Sequence, residues 1–98
     1  MPRSRLTFEV TDGSLTPTTV SFVIKRTSDN KYWDGTTSTW GAGVVENAAT
    51  GNGSGSWSYA VTGAARRQFV GVSLVVEARA KVGSATYTSQ VIPTYGIR

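Results

Sequence analysis

The chain contains no cysteine and no histidine among its 98 residues. Without cysteine there are no disulfides, no thiolate nucleophiles and no cysteine-ligated zinc or iron–sulfur sites. Without histidine the usual general base near neutral pH, the commonest metal ligand and the middle member of a Ser-His-Asp relay are all missing. Carboxylates are few as well. Glu9, Asp12, Asp29, Asp34, Glu46 and Glu77 are scattered, and none forms the close D-x-D-x-D pattern of a calcium loop. Asp29 and Asp34 could share a cation, but aspartate is also an ordinary turn residue, and neither a metal nor a cofactor is expected. Catalysis would need a lysine–carboxylate pair in a concave site. Lys31–Asp34 and Glu77–Lys81 stand at ordinary surface spacings, so the chain reads as a non-enzyme. Long apolar runs are absent too. No window approaches the roughly 18 apolar residues of a membrane helix, and the opening "MPRSRLTFEV" lacks the apolar centre of a signal peptide.

What is present starts with a basic surplus. The net charge is +4 and the pI about 9.9, with the pairs Lys25–Arg26 and Arg66–Arg67. Such a surplus helps approach to anionic polymers. Specific nucleic-acid recognition needs a basic face interleaved with aromatics in a recognisable module, and none is legible. These charges read as solvated strand and loop residues, with no specific nucleic-acid partner and no membrane insertion expected.

Periodicity two dominates the rest. Leu6, Phe8 and Val10 alternate with Thr7, Glu9 and Thr11 before the turn residues "TDGSLTP". Val20, Phe22 and Ile24 form the inner side of residues 18–26, and Val23 suggests that the other side is partly covered. From Val70 the even positions run Val70, Val72, Leu74, Val76, Ala78, Ala80. This predicts a long strand with those residues buried and Glu77, Arg79 and Lys81 exposed. "VGS" at 82–84 turns it into a second strand carrying Ala85, Tyr87, Ser89 and Val91, which Pro93 ends. "GNGSG" at 51–55 is a loop, and Trp57, Tyr59 and Val61 mark one more strand whose aromatics line the interior. Helical patterning is missing, apart from one turn allowed at "VENAAT", 45–50. The length fits a single domain, 1–98, and the pattern fits an all-β two-layer sandwich, with a small barrel as the structural alternative.

The stretch "NKYWDGTTSTW", 30–40, concentrates aromatics among turn residues. Tyr32 and Trp33 are adjacent, so an extended backbone points them to opposite faces and only one can enter the core. Trp40 is expected to be partly exposed. Tyr32, Trp33, Asp34 and Trp40 are the candidate ligand-binding residues, since stacked sugars want exposed aromatics with carboxylate or amide neighbours.

The string "VSFVIKRTSDNKYWDGTTSTW", then "SGSWSYAVTG", then "VSLVVEARAKVGSATYTSQ" resembles the bacterial immunoglobulin-like (Big-type) repeats of large surface and secreted proteins, over about residues 18–90. In that family a "YWNG" or "YWDG" element sits at a sheet edge, followed by a "WSY"-type strand and a long strand ending in "RAxD". Two departures stand out. Leu74 replaces the tyrosine that commonly opens the long strand, and "RAKVGSAT" at 79–86 replaces "RATDxxGN". A tyrosine corner and a cation role for the lost aspartate are therefore not carried over. The resemblance implies an immunoglobulin-like β-sandwich of about seven antiparallel strands. Its first strand should be short or missing, because only five residues precede Leu6 while "VIPTYGIR" runs on at the end. That tail, with Ile92, Tyr95 and Ile97 and a bend at Pro93, is the candidate cover for the vacant edge. On its own domain it makes a monomer, the expected outcome for so short a tail; on a neighbour, a strand-exchanged dimer or a chain of modules joined head to tail. The implied function is a non-catalytic module of a multidomain bacterial protein, extracellular or at the cell surface, acting as a spacer or adhesion element. Its partners would be neighbouring domains, and polysaccharide or another surface protein. The alternatives are a carbohydrate-binding module using the aromatics of 32–40, and a phage virion decoration domain.

Overall fold

A computed structural model describes residues 4–91 and 94–97. In chain order the strands are β1 (Ser4–Thr11), β2 (Thr19–Arg26), β3 (Lys31–Asp34), β4 (Thr39–Gly41), β5 (Asn47–Ala48), β6 (Thr50–Gly51), β7 (Ser56–Val61), β8 (Leu74–Val82), β9 (Ala85–Val91) and β10 (Thr94–Ile97), with a 3-10 helix, Gly63–Phe69, between β7 and β8. The ten described strands exceed the expected seven because β4, β5 and β6 are pieces of three residues or fewer.

Alternation along the backbone builds the core. Leu6 and Phe8 of β1 are fully buried while Glu9, the next residue along, lies in solvent. β7 continues that face, with Val61 opposite Leu6, Tyr59 opposite Phe8 and Trp57 opposite Val10. In the second sheet Phe22 and Ile24 of β2 stand opposite Ala78 and Val76 of β8, all buried. The two faces close on each other, and Phe8 meets Phe22 across the interface with ring centroids 6.1 Å apart. Each such side chain contributes roughly 1.5–3 kcal/mol by leaving water.

One sheet has the order β10-β1-β7-β6, the other β4-β3-β2-β8-β9, with β5 also paired to β2. All pairings are antiparallel. The orders match the A-B-E-D and G-F-C-C′-C″ sheets of a variable-type immunoglobulin sandwich, with one substitution. The place beside β1 that a first strand takes in that arrangement is held by β10, antiparallel, with Ser4 opposite Ile97 and Thr7 opposite Thr94. The tail thus lies on its own domain. The contacts expected of Ile92 and the bend expected at Pro93 fall outside the described residues, as do the side chains of Tyr95 and Ile97.

Two expectations need correction. The strand expected from Val70 begins at Leu74. Val70 instead follows the 3-10 helix and is 72% exposed, and Gly71 turns the chain at φ 69°. The helix carries Phe69 into the core, 1% exposed. A 3-10 turn with one buried residue has no apolar repeat to read, so this segment left no helical pattern. From Leu74 the expected register holds: Val76 and Ala78 are buried, Leu74 and Ala80 half-buried, while Glu77 and Arg79 keep partial exposure and Lys81 is exposed. Val23, on the outer face, is 5% exposed. Last, residues 45–50 make no helical turn; β5 and the start of β6 occupy them, tied down by the buried side chain of Asn47.

Candidate functional site

The stretch 30–40 is a hairpin in which Trp33 pairs with Trp40 and Tyr32 with Gly41. Neighbours on a strand face opposite ways, and the two aromatics separate accordingly. Trp33 is 1% exposed in the core, its Nε1 donating to Tyr59 Oη at 3.0 Å. Tyr32 lies on the outer face, half-buried beside Val23, Val75 and Arg79 at a shallow hollow of about 130 Å³. Trp40 is half-buried on the inner side with Trp33 at 5.3 Å and Phe69 at 5.1 Å between ring centroids, and Trp33 meets Phe69 at 4.8 Å. These tilted and edge-on rings form one packed knot.

Arg26 closes the knot. Its guanidinium carbon stands 4.6 Å from the Trp40 ring centroid while its nitrogens grip Asp29 at 3.0 and 2.7 Å. That bidentate contact holds the Asp29 carboxyl below the usual carboxylate range. A ligand stacking on this side of Trp40 would have to displace Arg26. The indole Nε1 of Trp40 is buried with no hydrogen-bond partner among the described residues. Asp34 accepts from Thr36 Oγ1 at 2.6 Å and Thr36 N at 2.9 Å, which lowers its pKa and fixes the β3–β4 turn. The four candidate residues therefore share a hairpin but no single surface: Trp33 is core, Tyr32 and Trp40 lie on opposite faces, and Asp34 holds a turn.

Asn47 is the polar centre of this end, and sequence reasoning missed it. Its Nδ2 donates to the carbonyls of Phe22 and Trp33, both at 3.1 Å, and its Oδ1 accepts from Gly35 N at 2.8 Å. One buried amide thus joins β2, β3 and β5. Gly35 must be glycine, because a Cβ there would collide with Tyr59 Oη. Burial pushes the Tyr59 phenol above its ordinary pKa, against the hydrogen bond from Trp33.

The opposite end of the sandwich is built differently. Trp57 is half-buried and its Nε1 donates to Asp12 Oδ2 at 3.1 Å. Asp12 N in turn donates to Gly55 O at 2.8 Å, which seats the glycine-rich loop. Asn52 Oδ1 accepts from Ser54 N at 2.8 Å and Ser56 N at 3.1 Å and shapes that loop from within. A cavity of about 150 Å³ lies on one side of Trp57, with Val10, Val20 and Ala78 beneath and Tyr87, Thr88 and Ser89 along the rim. A wider cleft of about 660 Å³, edged by Pro17, Gly51, Ser54 and Ser56, lies on the other. Both include Asp12, Leu15 and Trp57. Tyr87 stands opposite Ala80 and so belongs to the inner face, yet it is 49% exposed. Among the described residues β10 pairs with β1 over Ser4–Thr7. The sequence held a cue in the inward parity of Tyr87, but how far the ring is covered depends on tertiary packing.

On the outer face Glu46 takes Arg79 at 3.2 Å and Lys81 at 3.1 Å, and Glu77 takes Arg79 at 2.6 Å. Lys81 and Arg79 hold the Glu46 carboxyl below its ordinary pKa. These pairs are solvent-washed and contribute little each. Among the described residues no group of three or more metal-ligating side chains converges, and no helix is long and apolar enough to cross a membrane. Comparisons with protein families, curated proteins and solved structures find no match. The chain is a small antiparallel β-sandwich of immunoglobulin-like architecture.

Proposed function

We propose that the chain is a non-catalytic immunoglobulin-like module of the bacterial repeat type, an adhesion element of a larger secreted or surface protein. The observation that carries the reading is the β1–β10 register. Ser4 stands opposite Ile97, so the outer ends of β1 and β10 lie side by side. A sandwich joined to its neighbours through those two strand ends projects sideways, as inserted domains do. End-to-end spacing would put the two connections far apart. The geometry therefore supports adhesion over spacing, with neighbouring domains as covalent partners and a polysaccharide or another surface protein as the bound one. A virion decoration domain is the other setting that such a projecting module suits. Self-pairing of β10 supports a monomer.

Force spectroscopy separates the two roles. Pulled through its ends, the module should peel β10 from β1 one residue pair at a time and open at low force. Pulled between cysteines placed at Ser4 and Ser84, which lie toward opposite ends of the strands, it should resist more. Equal resistance in both directions would support a spacer instead.

A further inference from the structure

We propose that the paired clefts around Trp57 bind a neutral polysaccharide, with Trp57 and Tyr87 as the stacking rings and Asp12 as the hydroxyl acceptor. The inference is independent of how the module is joined to its parent chain. It rests on four observations. First, Tyr87 presents an inner-face aromatic that is 49% exposed. Second, the Trp57 indole is seated against the Gly51 backbone, where a Cβ would come within 3.1 Å of the six-membered ring, yet the residue stays half exposed beside both clefts. Aromatic rings bordering a groove suit the C–H faces of a pyranose, which are apolar, while its edge carries hydroxyls. Third, those hydroxyls would meet Thr88 and Ser89 on one side and Ser54 and Ser56 on the other. Asp12, whose Oδ2 already orients Trp57 at 3.1 Å, retains acceptor capacity as a carboxylate. Fourth, the two clefts adjoin through Trp57, which gives successive ring-sized stations to a polymer of repeating units.

Charge narrows the class. Asp12 is the one charged residue among the described residues lining either cleft. A uronate or sulfated chain would face that carboxylate with no cation to offset it. A neutral hexose or pentose polymer has no such cost. The competing occupant of such a groove is an added peptide strand along the β1 edge. A strand would use the smaller cavity alone, whereas the hydroxyl-rich cleft beyond Trp57 lies away from that edge. The sugar accounts for both.

The test is calorimetric titration of the whole chain with soluble neutral polymers (β-glucan, xylan, galactomannan) and with polygalacturonate. At least one neutral polymer should bind with a Kd in about the millimolar range or tighter, and polygalacturonate should not. Tyr87→Ala should weaken that binding about tenfold, as the loss of one stacked ring. Gly51→Ala, whose Cβ would press on the indole and shift it from its seat, should weaken it by a similar factor. Both variants should first be shown to keep the wild-type thermal midpoint within a few degrees. Trp40→Phe, at the far end, should bind as wild type. A silent titration with every neutral polymer, wild-type affinity in both cleft variants, or preference for polygalacturonate would overturn the proposal. So would amide shifts confined to Phe8–Thr11 on adding an alternating Val-Thr hexapeptide, with none on adding glycan; that outcome would assign the groove to an added strand.

Discussion

The two ends of the sandwich use the same materials to opposite effect. At one end Trp33, Trp40 and Phe69 pack ring against ring, with Arg26 laid over the outermost indole. At the other, Trp57 and Tyr87 border open clefts. Neither composition nor strand parity separates them, since all of these aromatics except Phe69 sit at inward-facing strand positions. Coverage does. The 3-10 helix delivers Phe69 against Trp33 and Trp40, and Asn47 ties the surrounding strands together. At the other end Trp57 is left half-buried and Tyr87 49% exposed. An aromatic becomes core or surface according to whether a distant segment arrives to cover it.

The sharpest way to break this contrast is to remove one tryptophan from each end. Trp33→Ala should cost about 3–5 kcal/mol, the range for emptying a large buried aromatic site. Trp57→Ala should cost well under half of that, because its ring is already half in water. Chemical denaturation of the two variants measures both. Equal losses would show that the Trp57 end is as much core as the other, and the distinction between the ends would fall.

Asn47→Ala tests the clamp by a smaller margin. It strands the Gly35 N–H and removes a donor from two carbonyls in a buried setting, which should cost about 2–4 kcal/mol. The Trp33 and Trp40 end should loosen first, seen as faster amide exchange at Trp33 and Gly35 while Ser54 and Ser56 keep wild-type rates. Uniform loosening would show that the two ends are not separately organised.

The smallest effect is alkaline. Burial raises the folded pKa of Tyr59 above its unfolded value near 10. The neutral phenol is the folded form, so its contribution is fully present below the unfolded pKa and is lost as pH rises through the folded one. Urea midpoints followed from pH 8 to 11.5 should fall in the wild type more than in Tyr59→Phe. Parallel curves would show that burial does not hold the Tyr59 phenol neutral in the folded state.

Much of the fold was legible because alternation is local. Leu6 and Phe8, Phe22 and Ile24, Val76 and Ala78 all lie where period two puts them, and the split between Tyr32 and Trp33 follows from adjacency alone. The 82–84 turn and the glycine-rich loop at 51–55 were readable from φ-permissive residues, and Gly83 and Gly53 do take φ of 60° and 82°. The placing of Val70 in a strand and of 45–50 in a turn of helix failed for one reason. Both segments take their shape from a contact remote in sequence: Phe69 with Trp33, and Asn47 with Phe22 and Trp33. The ligand-binding residues sought at 32–40 were sought by composition, and composition does not report that Arg26 lies over Trp40.

By itself, then, the sequence determined which way each strand residue points, because the direction of Cβ is set by the residue's own backbone and its immediate neighbours. It also set the absence of disulfides and of thiol or imidazole chemistry. Only the tertiary structure decided which inward faces meet a partner. β10 lies on β1 although Thr94 follows Thr7 by 87 positions in the chain. Tyr87, at an inward position, is left 49% exposed beside Val10 and Trp57, because strand parity sets a side chain's direction and only packing sets its cover.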